Sequence, residues 1–127
     1  MKIKNEYIQT AVDALTQSAI VVNEQYNSVF KGYISGLGAS IIQAGLLPSV
    51  ILYENSPSSR DDKGKVINAI VYMLIHQFNY TGLEGAPLST YILSEQRNGD
   101  EYKLLLDVNK ALVAIKLALR MFNSQED

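Results

Sequence analysis

The chain has 127 residues, with 11 Lys and Arg against 13 Asp and Glu, for a formal charge of −2. Hydrophobic residues make up 47% and charged residues 19%, the balance of one folded domain over residues 1–127 rather than a disordered chain. That charge excludes a strongly basic, free-standing nucleic-acid binder, but not a near-neutral subunit that meets nucleic acid inside an assembly. There is no Cys, which excludes a disulfide scaffold, a thiolate metal site and a Cys nucleophile. The single His, His76, excludes a multi-His metal centre. No signal peptide is visible behind Met1-Lys2-Ile3-Lys4, and no uncharged apolar run reaches the ~18 residues that a membrane span needs. A cytoplasmic protein without membrane contact is the expectation, and the sequon Asn79-Tyr80-Thr81 then carries no meaning.

Helical periodicity runs through most of the chain. The first helix is expected from about Asn5 to Tyr26, on the stripe Ile8, Ala11, Leu15, Ala19, Val22 and Tyr26. The β-branched run Ile20-Val21-Val22 opposes that assignment locally. A second helix follows from about Asn27 to Ala44, with Phe30, Tyr33, Ile34, Leu37, Ile41 and Ala44 on its apolar face. Gly45 stands where a left-handed helix cap favours glycine. A short element, Leu47 to Tyr53, restarts at once, with Pro48 in its first turn. The polar, breaker-rich stretch from Glu54 to Lys65 reads as a loop inside the domain.

A third long helix is expected from about Lys65 to Phe78, burying Ile67, Ile70, Val71, Leu74 and Phe78. Pro87 opens a short helix to Ser94, and Gln96-Arg97-Asn98-Gly99 reads as a turn. The last helix runs from about Asp100 to Phe122, with Asp100 and Glu101 well placed at its positive end. Its seam is Leu105, Val108, Leu112, Ile115, Leu119 and Phe122, and a second stripe is Leu106, Val113 and Leu117. Such a helix is either central to the bundle or presents a face to a partner. No strand is convincing. The expected fold is all-α, a compact bundle of four to five helices plus short helical turns.

The usual enzymatic signatures are missing. Gly36-Leu37-Gly38 begins like a dinucleotide fingerprint, but Ile41 stands where its third glycine belongs and no strand precedes it. His76 has no triad partner at a recognisable spacing and lies beside a buried helix face. Asp61, Asp62, Asp100 and Glu101 read as solvated or capping acids. No catalytic residue, metal site or cofactor is expected. Gly32, Gly36, Ala39 and Gln43 form a strip poor in side chains on the second helix. It suits either close helix packing within the fold or close approach of another backbone. On the last helix Lys103 and Lys110 flank Asp107, and Lys116 and Arg120 lie four apart. These cations suit either phosphate contacts or a solvated helix surface.

Two stretches resemble a known family. One is Phe30 to Tyr53, where Ile41-Ile42-Gln43-Ala44-Gly45-Leu46 ends a helix and a short helix restarts directly. The other is Tyr102-Lys103 followed by an apolar seam and Arg120. Together they resemble the small helical subunit of the type III-B CRISPR effector, the Cmr complex. The family pattern often carries a basic residue before the Gln, where this chain has Ile42, and an aromatic and a second basic residue near Leu117 and Leu119. The resemblance implies a non-catalytic ribonucleoprotein subunit that stacks along the crRNA–target RNA duplex and supports antiviral RNA-guided interference. Its implied partners are the other CRISPR effector subunits, crRNA and target RNA held through phosphates, and further copies of itself. On this reading the candidate RNA-backbone contacts are Lys31, Gln43, Lys103, Lys110, Lys116 and Arg120. The alternatives are the small subunit of a type III-A effector and a protein-only helical adaptor or regulator.

Overall fold

The structure, a computed structural model, describes residues 2–55, 63–99 and 101–125, and the side chains of all of these but 96–98. The elements run α1 (Asn5–Gln17), β1 (Gln25–Asn27), α2 (Val29–Ala44), α3 (Leu46–Glu54), α4 (Gly64–His76), α5 (Leu88–Asn98), α6 (Glu101–Leu119) and β2 (Asn123–Gln125). The fold is all-α, as expected, apart from one short sheet. The breaker-rich segment lies, at 56–62, outside the described residues, as do Asp61, Asp62 and Asp100.

Helix α6 is the centre. It packs against α1, α2, α4 and α5, most extensively against α1. Leu104, Asp107, Val108, Ala111, Leu112, Ala114, Ile115, Ala118 and Leu119 are all buried. At 100° per residue these cover an arc of roughly 160°, wider than a coiled-coil seam. The expected seam is one side of that arc. The other side is made of Ala111, Ala114 and Ala118, which carry little hydropathy signal, and Asp107. Ala11 and Ala14 of α1 are likewise fully buried, and small side chains let helix axes approach closely. The second stripe is not core: Leu106, Val113 and Leu117 are 38%, 37% and 40% exposed.

Helix α1 stops at Gln17, nine residues before the expected Tyr26. Its end is a Schellman motif: the Ile20 N–H donates to the Leu15 carbonyl at 3.1 Å and the Ala19 N–H to the Thr16 carbonyl at 3.1 Å. Ala19 takes the left-handed position, at φ 62°, that glycine usually fills. Leu15 and Ile20, the apolar pair that accompanies this motif, are both buried. Val22 and Gln25 then exchange two backbone hydrogen bonds across Asn23 and Glu24, both at positive φ, a type I′ geometry. Burial of Ile20 and Val21 outweighs continuation of the helix.

The expectation of no strand is corrected. β1 and β2 pair in parallel, with Gln25 opposite Asn123, Tyr26 opposite Ser124 and Asn27 opposite Gln125. The chain reaches this pairing because α6 ends at Leu119 rather than Phe122. Arg120, Met121 and Phe122 donate their N–H groups three residues back, tightening the final turn. The pairing strings are short and polar, so no alternation marks them.

The remaining boundaries follow local chemistry. Gly45 has φ 98° and ψ 166°, a region essentially open to glycine alone, so α3 starts at the next residue. Helix α5 runs through Asn98, over the first three residues of the turn expected at residues 96–99, and Gly99 at φ 82° follows it. Glu54 accepts from the Ser89 N–H at 3.1 Å and the Ser89 hydroxyl at 2.6 Å, satisfying a donor in the first turn of α5. The alanine face of α6 leads to a test. Ala114→Leu is expected to destabilise by about 1–3 kcal/mol through overpacking. Val113→Gln, one residue away on the open face, is expected to stay within about 0.5 kcal/mol. Urea unfolding measures both, and equal effects would sink the assignment of the arc.

Candidate nucleic-acid interface

Three of the six candidate residues meet in one recess. Lys31 comes from the first turn of α2, Lys116 from the last turn of α6, and Arg120 from the tightened turn after it. The β1–β2 pairing folds the C-terminal segment back beside α2, so that the three cations border a cavity of about 460 Å³. Tyr26, Ile34, Ser35, Leu119, Phe122, Asn123 and Ser124 complete its lining. Among the described residues no carboxylate lines it, and none pairs with Lys31, Lys116 or Arg120. Three cations with no counter-charge among the described lining residues make an anion-attracting surface, and its salt dependence follows from their exposure.

The other three candidates lie elsewhere. Gln43 is exposed near the far end of α2, about 18 Å from Lys31 along the axis at ~1.5 Å per residue. Lys110 is half-buried on α6, about 9 Å from Lys116 by the same rise. Lys103 has a structural task. Its Nζ sits 2.8 Å from Oδ2 of Asp107 and 4.8 Å from the centroid of the Tyr80 ring. The Tyr80 hydroxyl donates to the same oxygen at 2.7 Å. Asp107 is buried on the core-facing arc of α6, and a buried carboxylate needs such partners. The sequence places Lys103 and Asp107 one turn apart. It gives no sign of Tyr80, which arrives from the segment after α4.

Burial, and then the hydrogen bond to Asp107, push the Tyr80 hydroxyl well above the ordinary tyrosine range. The Tyr53 hydroxyl is raised as well, by burial first and Tyr33 second, and it donates to the Tyr33 carbonyl at 2.6 Å.

The small-residue strip resolves in part. A Cβ on Gly36 would come within 3.1 Å of the Tyr53 hydroxyl, so that glycine serves the α2–α3 contact. Gly32 faces open space. Ile42, where the family pattern carries a basic residue, is 87% exposed. His76 is exposed and stacks on Tyr72 with ring centroids 4.2 Å apart. No helix among the described residues is long and apolar enough to cross a membrane. The sequence signal that missed Tyr26, Phe122, Asn123 and Ser124 as lining residues is the sheet itself, which brings segments nearly a hundred residues apart into register.

Comparison with family models, with curated proteins and with solved structures returns no match for this chain.

The Tyr80–Asp107 pair makes a pH prediction. A hydroxyl held protonated by the fold stabilises fully below the ordinary tyrosine value of about 10, and that contribution is lost as pH rises above it. Stability is therefore expected to fall from about pH 10 upward. Tyr80→Phe is expected to cost about 1–2 kcal/mol at neutral pH, since Asp107 loses a donor, and to flatten the alkaline decline. Denaturant titrations at stepped pH check this, and an unchanged alkaline slope in the variant would count against it.

Proposed function

We propose that this chain is a non-catalytic, RNA-contacting small subunit of a type III-B CRISPR effector, meeting crRNA and target RNA through phosphates. The carrying observation is the recess bordered by Lys31, Lys116 and Arg120, with no carboxylate among the described residues that line it. Phosphate contacts of this kind add affinity without reading base sequence. The all-α fold and the Gly45 turn between α2 and α3 agree with the pattern that suggested the family. Within this reading Lys31, Lys116 and Arg120 are the principal contacts, while Lys103 holds Asp107 in the core.

A second reading, a protein-only helical adaptor, is favoured by one observation. Leu106, Val113 and Leu117 stay more than a third exposed on α6, with Tyr102 exposed at its start. Such a half-open apolar stripe suits a partner helix.

Binding of a short single-stranded RNA across a salt series separates the two. Exchanging Lys31, Lys116 and Arg120 together for Ala is expected to lower the slope of log affinity against log salt by about 2. Lys103→Met is expected to lower thermal stability and leave that slope unchanged. An unaltered slope in the triple variant would falsify the assignment of the recess. Capture of the tagged chain from its host with crRNA-sized RNA and large CRISPR subunits supports the effector reading. Capture with protein alone supports the adaptor.

A further inference from the structure

We infer that the recess between α2, the end of α6 and the β1–β2 sheet holds one unpaired nucleotide, its phosphate on the cations and its base against Phe122. This deepens the reading of the recess as RNA-facing and rests on it.

The first argument is shape. A cavity of about 460 Å³ falls in the range of roughly 300–1,000 Å³ typical of pockets for small organic ligands. A lone phosphate group needs no such volume. The exterior of an A-form duplex is convex, and its paired bases stay stacked inside. Only a nucleotide that has left the stack can place a base in a recess.

The second argument is the division of chemistry along the walls. The cations of the lining, Lys31, Lys116 and Arg120, are exposed and form its rim. The less exposed lining is Tyr26, Ile34, Leu119 and Phe122. Ile34 and Leu119 are buried, while Phe122 keeps part of its surface open. An aromatic side chain beside a cationic rim is the combination that binds single-stranded nucleic acid, because every base has a face to stack. An anion lacking a ring would leave that wall in water.

The third argument is the neutral polar set. Ser35, Asn123 and Ser124 line the same recess, and their side chains can both donate and accept toward a base edge or a ribose hydroxyl. The Asn123 N–H is bonded to the Glu24 carbonyl at 3.1 Å, which anchors this wall to the turn before β1.

The test is an NMR titration of the isotope-labelled full chain with adenosine 5′-monophosphate and, separately, with ribose 5-phosphate. The nucleotide is expected to shift the amides of Ser35, Asn123 and Ser124, and to bind at least about fivefold tighter than the sugar phosphate, the smallest effect of stacking one base. Phe122→Leu, which keeps an apolar side chain against the core, is expected to remove that difference. Arg120→Ala is expected to weaken both ligands alike. Equal affinity for the two ligands in the wild-type chain overturns the proposal and leaves phosphate contact with RNA standing. Shifts confined to other surfaces, or displacement of the nucleotide by an acidic peptide at lower concentration, also overturn it. If RNA affinity in the salt series is indifferent to the three cations as well, the reading of the recess as RNA-facing fails independently.

Discussion

Burial of α6 along one broad side constrains everything else. Four helices cover that side, and its composition shows two different means of doing so. Branched and long side chains, Leu104, Val108, Leu112, Ile115 and Leu119, fill volume. Ala111, Ala114 and Ala118 remove it, letting another helix lie close. The arc also encloses a carboxylate, Asp107, which is tolerable only because Tyr80 and Lys103 reach its oxygen. A helix held this way has a fixed direction, and its last residues must leave the bundle at one place.

That exit builds the recess. The tightened turn at residues 120–122 redirects the chain into β2, and pairing with β1 carries it alongside the start of α2. Lys31 and Arg120 are far apart in sequence and become neighbours of one cavity. The three-residue strands contribute little area. Their value is in register: Ser28 also donates its N–H to the Gln125 carbonyl at 3.0 Å, so the ladder runs directly into the first turn of α2. Cations arranged on a pinned backbone cost less to order around a ligand than cations on a free tail.

Helix existence was legible wherever hydropathy repeats at three and four, and Gly45 and Pro87 marked two boundaries correctly, since each acts through its own backbone. Boundaries set by tertiary packing were not. Ala19 caps α1 in a conformation that alanine alone does not favour, and burial of Leu15 and Ile20 holds it there. The stripe through Tyr26 is real hydrophobic patterning, but Tyr26 is buried as part of a strand. Of the five candidate cations and one amide, Lys31, Lys116 and Arg120 share a site, Lys110 lies apart on α6, and Gln43 and Lys103 sit at far ends of their helices.

Local patterning was enough to establish a predominantly helical chain without thiol or multi-histidine chemistry, and to mark α6 as apolar on more than one side. These are properties of composition and of spacing within one helical turn, and they survive any packing. Tertiary structure decided which side of α6 is core and which stays half-open, because alanine burial depends on the neighbour rather than on hydropathy. It also decided that Lys103 serves Asp107 while Lys116 and Arg120 remain available, since only the folded chain brings Tyr80 to one end of α6 and β1 to the other. Charge along a sequence says how many cations exist. Long-range contacts determine which of them face a common space.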